Sequence, residues 1–136
     1  MAADVIRLDV VTPAGIVFSD QVGTVNLPAT MGLMTVLANH APLMTTLNIG
    51  PVKYTKDGKE HYLAVSGGFL EVKDNLVIVL ANSAEKAEDI DLARAMSAKE
   101  RAEERISQHG PDMDMLRAEA ALKRALNRIK IYDFIK

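Results

Sequence analysis

The residues of this chain best suited to chemistry are arginines. Arg94 and Arg101 stand seven apart, close to two helical turns, and so share one helix face. Arg124 and Arg128 stand four apart and share a face of a second helix. Guanidinium groups grip phosphate oxygens in bidentate pairs. If two such helices close with these faces adjacent, four guanidiniums converge on a clamp for a polyphosphate. The same spacing also suits ion pairs, since Asp91 precedes Arg94 by three and Glu104 follows Arg101 by three, and spacing alone favours the pairs.

Little else in the sequence points to a reacting group. His40, His61 and His109 have no metal-ligand spacing with one another, and there is no cysteine. His61 reads as a sheet-surface side chain, and His109, before a helix stop, as a partner of the helix dipole. Ser66-Gly67-Gly68 lacks the first glycine of a nucleophile elbow. No phosphate loop or dinucleotide fingerprint is present. Glu103 and Glu104 point in different directions from a helix and read as a solvated face.

The elements that must carry these residues differ on either side of residue 84. Up to there, short β-rich runs alternate with turns: Val5–Val11, Thr12-Pro13-Ala14-Gly15, Ile16–Phe18, Val22–Leu27, then a break at Asn48-Ile49-Gly50-Pro51 before Val52–Thr55. Asp57-Gly58 between strand-like runs is a strong hairpin signal. His61–Val65, Phe69–Val72 and Leu76–Leu80 complete the series, with Ser66-Gly67-Gly68 suggesting a bulge or sharp bend. Such spacing suits a sandwich or barrel.

After residue 84, strong helix formers dominate. Glu88, Asp89 and Asp91 place acid at the start of one helix, whose apolar positions are Ile90, Ala93, Ala98, Ala102 and Ile106. His109-Gly110-Pro111 ends it. Asp112 is the expected cap of a second helix carrying Leu116, Ala120, Leu122, Ala125, Leu126 and Ile129. So short a connection makes an antiparallel hairpin. No internal repeat is expected.

The chain has 136 residues, a net charge of −2 and 49% hydrophobic residues. That composition argues against disorder and against a basic nucleic-acid face. Met1-Ala2-Ala3-Asp4 does not open a signal peptide, and the longest apolar run, Leu76–Ala81, falls far short of a membrane span. The expectation is a soluble protein reaching a membrane only through a partner.

Ordered motifs along nearly the whole chain resemble the ε subunits of bacterial F-type ATP synthases. They are Leu8-Asp9-Val10-Val11-Thr12-Pro13, Leu37-Ala38-Asn39-His40-Ala41-Pro42-Leu43, Val65-Ser66-Gly67-Gly68-Phe69-Leu70-Glu71-Val72, Ile90-Asp91-Leu92-Ala93-Arg94-Ala95 and Ala98–Ile106. The resemblance implies an α+β chain: a ten-stranded antiparallel β-sandwich over 1–84, then an antiparallel two-helix hairpin over 85–136. It implies a non-catalytic rotor-stalk subunit on the cytoplasmic face of the cell membrane. The sandwich would bind the γ subunit and the c-ring. The hairpin would exchange between a compact state and an extended one that meets the α/β catalytic head and inhibits ATP hydrolysis.

In some members Ile-Asp-x-x-Arg-Ala belongs to a regulatory ATP site that favours the compact state. Here it falls on Ile90, Asp91, Arg94 and Ala95, and the remaining site residues would be Glu85, Arg101, Arg124 and Arg128, with Mg²⁺ a candidate companion. The resemblance raises the arginine clamp above the ion-pair reading. Partner contacts would fall at Met31, Gly32, Leu33 and His40. Leu33 stands where the family often has an acid, and Asn39 where it often has glycine. The alternative function is a stand-alone ATP-sensing regulatory protein; a small enzyme is the weakest reading.

Overall fold

The computed structural model describes residues 5–108 and 110–136. The reading of residues 1–4 and of His109 therefore lies outside the described residues. The chain divides into two compact units, Met1–Lys86 and Ala87–Lys136.

The first unit is built of β1 (Ile6–Thr12), β2 (Gly15–Val22), β3 (Val25–Ala29), β4 (Gly32–Val36), β5 (Leu43–Lys56), β6 (Lys59–Lys73), β7 (Leu76–Ala81) and β8 (Ala84–Lys86). They form one hydrogen-bonded sheet in the order β2-β1-β7-β6-β5-β3-β4, with β8 added beside β6. All pairs are antiparallel except β1 with β7. The sheet folds over on itself. Phe18 of β2 lies 4.6 Å from Tyr54 of β5, ring to ring, and Gly23 N–H donates to the Thr55 carbonyl at 2.8 Å.

Eight strands among the described residues replace the ten expected, because β5 and β6 each run through both layers. Their pairing keeps one register from Leu43↔Val72 to Lys56↔Lys59. Yet the buried side chains change parity along it: Leu47 gives way to Val52 and Tyr54 on β5, and Leu63 and Val65 give way to Leu70 and Val72 on β6. Alternate residues of a strand face opposite sides. The ribbon therefore turns one face inward in its first half and the other in its second. The switch falls at Gly50 and at Gly67-Gly68, whose φ of 73° and 139° suit glycine. A Cβ on Gly68 would lie 2.1 Å from the Leu80 carbonyl oxygen.

The Gly50-Pro51 break is accordingly absent, since β5 runs through it. Pro51, which has no N–H to donate, sits where the β3–β5 pairing is interrupted between Asn26 and Ala29. The core is the inward set of these strands, led by Ile6, Leu8, Val10, Leu27, Val52, Leu63, Leu70, Val77 and Val79.

The second unit begins with a 3-10 turn, Ala87–Asp89, followed by α1 (Leu92–Ser107) and α2 (Met115–Ile135). Asp91 caps α1, accepting from the Arg94 N–H at 3.1 Å. Asp114, not Asp112, caps α2, accepting from the Arg117 N–H at 3.1 Å. Asp112 lies too early in the connecting turn to reach the orphan donors of a helix beginning at Met115. The helices pack through small residues: Ala95 and Ala102 on α1, and Ala118 and Ala125 on α2, are buried. Ala93, Leu116 and Leu126, expected among the apolar positions, are exposed. The stripe that meets the partner helix is the alanine one, rotated from the larger residues.

Candidate functional site: an arginine groove and an apolar row

Both helices open on the same signature, aspartate then arginine three later, and the likeness continues. Contrary to the expectation of no internal repeat, residues 91–106 repeat at 114–129. Asp91, Arg94, Ala95, Ala98, Arg101, Ala102, Arg105 and Ile106 recur as Asp114, Arg117, Ala118, Ala121, Arg124, Ala125, Arg128 and Ile129. The repeat escapes notice in linear sequence because the residues between these positions are unrelated. It becomes legible once both caps are placed. Each half supplies alanines at i and i+4 to the seam and arginines at i and i+4 beside them.

Between the two halves lies a groove of about 270 Å³. Arg101 and Arg105 line it from α1, and Arg124 and Arg128 from α2; Ala98, Ala102, Ala121 and Ala125 form the remaining walls. The structure thus brings together three of the expected arginines, Arg101, Arg124 and Arg128. It adds Arg105, which the expectation omitted although its spacing from Arg101 was the available signal. No acidic side chain lines the groove, and among the described residues no ion pair engages Arg94, Arg101, Arg105 or Arg124. The Asp91 carboxylate is occupied with the cap, and Glu104 makes no ion pair with Arg101. Arg101, Arg105 and Arg124, like charges facing one space, repel each other. An anion between them reverses that term, and the short alanine walls leave it room.

The other expected ligands of the second unit are outside that lining. Ile90 is buried ahead of α1, with its N–H donating to the Ala87 carbonyl at 3.2 Å; Arg94 is exposed and Ala95 fully buried in the first turn. These residues do not line the groove. Glu85 stands in β8 of the first unit, half-buried, paired with Ala64. Among the described residues no group of three acids or histidines is placed to hold a metal ion. No helix there is long and apolar enough to cross a membrane.

The expected partner residues occupy the β3–β4 hairpin and the loop after β4. Met31 and Leu33 are 92% and 85% exposed, around Gly32 at φ 132°. His40 is half-buried, and its Nδ1 donates to the Ala41 carbonyl at 2.6 Å. A carbonyl can only accept, which fixes the proton on Nδ1. Asn39 before it adopts φ 65°, the left-handed region that asparagine tolerates nearly as glycine does. Its N–H and side chain both bond to Asn75.

A second feature was not anticipated residue by residue. Following the sheet registers, Ile16 pairs with Val11, Val11 with Leu80, Leu80 with Phe69, and Phe69 with Thr46. Paired residues share a face. Ile16, Leu80 and Phe69 are more than half exposed, so an apolar row crosses the outer side of four strands. Contiguous exposed apolar surface marks an interaction site.

Known proteins place residues 5–133. The profile described as ATP synthase, Delta/Epsilon chain, beta-sandwich domain matches residues 5–87, and the one described as its long alpha-helix domain matches 88–133. An ATP synthase epsilon chain of Pelotomaculum thermopropionicum is 56% identical over 102 residues, 75% of this chain and 76% of that one. One of Desulforamulus reducens is 48% identical over 124 residues, covering 91% and 94%. Among solved structures, a chain in the Euglena gracilis mitochondrial ATP synthase, OSCP/F1/c-ring, superposes with TM-score 0.78 at 26% identity, covering 92% of this chain and 79% of that one. The β-sandwich with its two helices, the ordered motifs and these likenesses agree: the chain belongs to the delta/epsilon family of ATP synthase chains, as a non-catalytic member of the epsilon type.

Proposed function

We propose that this chain is a stalk subunit that couples the catalytic head of the ATP synthase to its ion-translocating ring and restrains ATP hydrolysis through its helices. ATP, alone or with Mg²⁺, acts as a regulatory ligand whose triphosphate lies between the arginines and favours the compact hairpin. The observation carrying this reading is the groove itself: four guanidiniums, no acid, and walls of alanine. Ligand binding to one of two states shifts the population by its differential affinity. Low ATP would release the helices to block hydrolysis.

The apolar row through Phe69 and Leu80, with Met31 and Leu33, supports a sandwich that docks on γ and the c-ring at the cytoplasmic face of the membrane. A stand-alone ATP sensor would need no such row. Calorimetric titration of the full chain with ATP tests the ligand. Saturable one-to-one binding, weakened by Arg124→Ala with the sandwich still folded, is the expected result. No heat at millimolar ATP would reduce the arginines to contacts with other subunits. Phe69→Asp is expected to abolish co-purification with γ, and undiminished capture would remove the row from the interface.

A further inference from the structure

The two helices repeat one pattern, yet they part at one buried position. Asn127 of α2 is 8% exposed, the buried polar side chain among the described residues. Its counterpart in the repeat, Glu104 of α1, is exposed. Among the described residues no hydrogen bond reaches the Asn127 amide. A buried amide without a partner lowers stability, and an apolar side chain of similar size there would not. A group held on those terms calls for a partner from outside the chain. Its place on the helix says which. Asn127 follows Arg124 by three and precedes Ile131 by four, so the three share one side of α2. Ile131 is fully buried, and the 3-10 turn Ala87–Asp89 packs on α2, with Ala87 and Ile90 buried. An amide edge thus stands on an apolar side of the helix, flanking the groove that Arg124 lines.

We propose that Asn127 reads the base of the regulatory nucleotide, and that the base is adenine. A primary amide offers an acceptor and a donor side by side. Adenine returns the complementary pair from its 6-amino group and the adjacent ring nitrogen. The groove lining holds arginine and alanine, and neither side chain carries an acceptor beside a donor. Base selection therefore belongs to a residue outside that lining. Asn127 also gives the site a direction: a nucleotide has a base at one end, and the amide occurs in one half of the repeat only. The inference rests on the nucleotide reading above and deepens it by naming the residue that selects the base.

The test is calorimetry of the full-length chain with ATP and with purine riboside triphosphate, which lacks the 6-amino group. It is repeated on Asn127→Leu, and on Asn127→Ala to make the same comparison without added bulk, with helical content followed by circular dichroism. In the unaltered chain, loss of the 6-amino group should weaken binding about tenfold, the size of one buried hydrogen bond. Both variants should weaken ATP by about tenfold or more and bind the two nucleotides alike within about threefold. Helix melting of Asn127→Leu should stay level or rise, because an unpaired buried amide has gone. If the unaltered chain binds both nucleotides equally, the amide reads no base and this inference fails while the nucleotide reading stands. A tenfold preference for ATP that survives in both variants gives base selection to another residue and overturns this one. If neither nucleotide binds at millimolar concentration, both readings fall.

Discussion

At the scale of single residues, two aspartates show one capping device used twice. Asp91 and Asp114 hold the same position in the repeat and make the same cap. Replacing either with alanine should cost about 1 kcal/mol of hairpin stability, since a helix donor is left unbonded. Asp91→Ser keeps an oxygen for the cap and removes the charge. Normal helix melting with lowered ATP affinity would give Asp91 a ligand role beyond capping; unchanged affinity would leave it a cap alone. Asn39 offers a simpler case. Its φ of 65° predicts that Asn39→Gly alters urea stability by only a few tenths of a kcal/mol. Asn39→Val, forcing a β-branched residue into the left-handed region, should cost about 1–2 kcal/mol. The sequence carried both positions in sight, the first through its motif and the second through a missing glycine. The bond of Asn39 to Asn75, 36 positions away in the chain, could not be read there.

Among the elements, turns were legible and long strands were not. Asp57-Gly58 and Asp74-Asn75 close hairpins with all four φ positive, the chemistry their residue types dictate. β4, β8 and the first half of β5 had no bounding turn signals of that kind. They are strands because neighbours pair with them, which is tertiary information. The face switch at Gly68 makes its own prediction. Gly68→Ala drives a methyl into the Leu80 carbonyl and should cost several kcal/mol, read as loss of the cooperative sheet transition. A fall of under ~1 kcal/mol would mean that the two strands separate there without consequence. A pH effect belongs to the tie between β2 and β5. Asp20 accepts from Lys56, and that bond, with the Gln21 N–H, holds its carboxyl below the usual value of 3.8. A lowered folded-state pKa adds stability that is present above 3.8 and is lost as pH falls through the folded value. Lys56→Met should therefore flatten the acid limb of the stability profile. The pair is exposed to solvent, so added salt should do the same in part. An acid limb identical in wild type and Lys56→Met would remove this pair from the acid transition.

For the whole molecule, the division of labour follows from what each unit buries. The sandwich closes over large branched side chains contributed by seven of its strands. The hairpin closes over alanine methyls, with Ile131 and Ile90 its larger buried residues. Alanine removes little area from water, and most of the stability of helices in proteins comes from such packing. The charge on the groove lowers the stability of the closed hairpin further. A ligand that fills the groove should then stabilise the second unit by RT ln(1 + [L]/Kd), about 2.7 kcal/mol at a hundredfold excess over Kd. Residue-resolved hydrogen exchange of the full chain with and without ATP measures this directly. Amides of α1 and α2 should slow by up to about a hundredfold, while those of β1, β6 and β7 stay unchanged. Equal slowing in both units would mean that ATP acts on global stability and not on the hairpin. No slowing in either would reject the regulatory site and leave the arginines for a protein partner. The distinction is available because a weak unit beside a strong one reports its own ligand, which a single cooperative core would conceal.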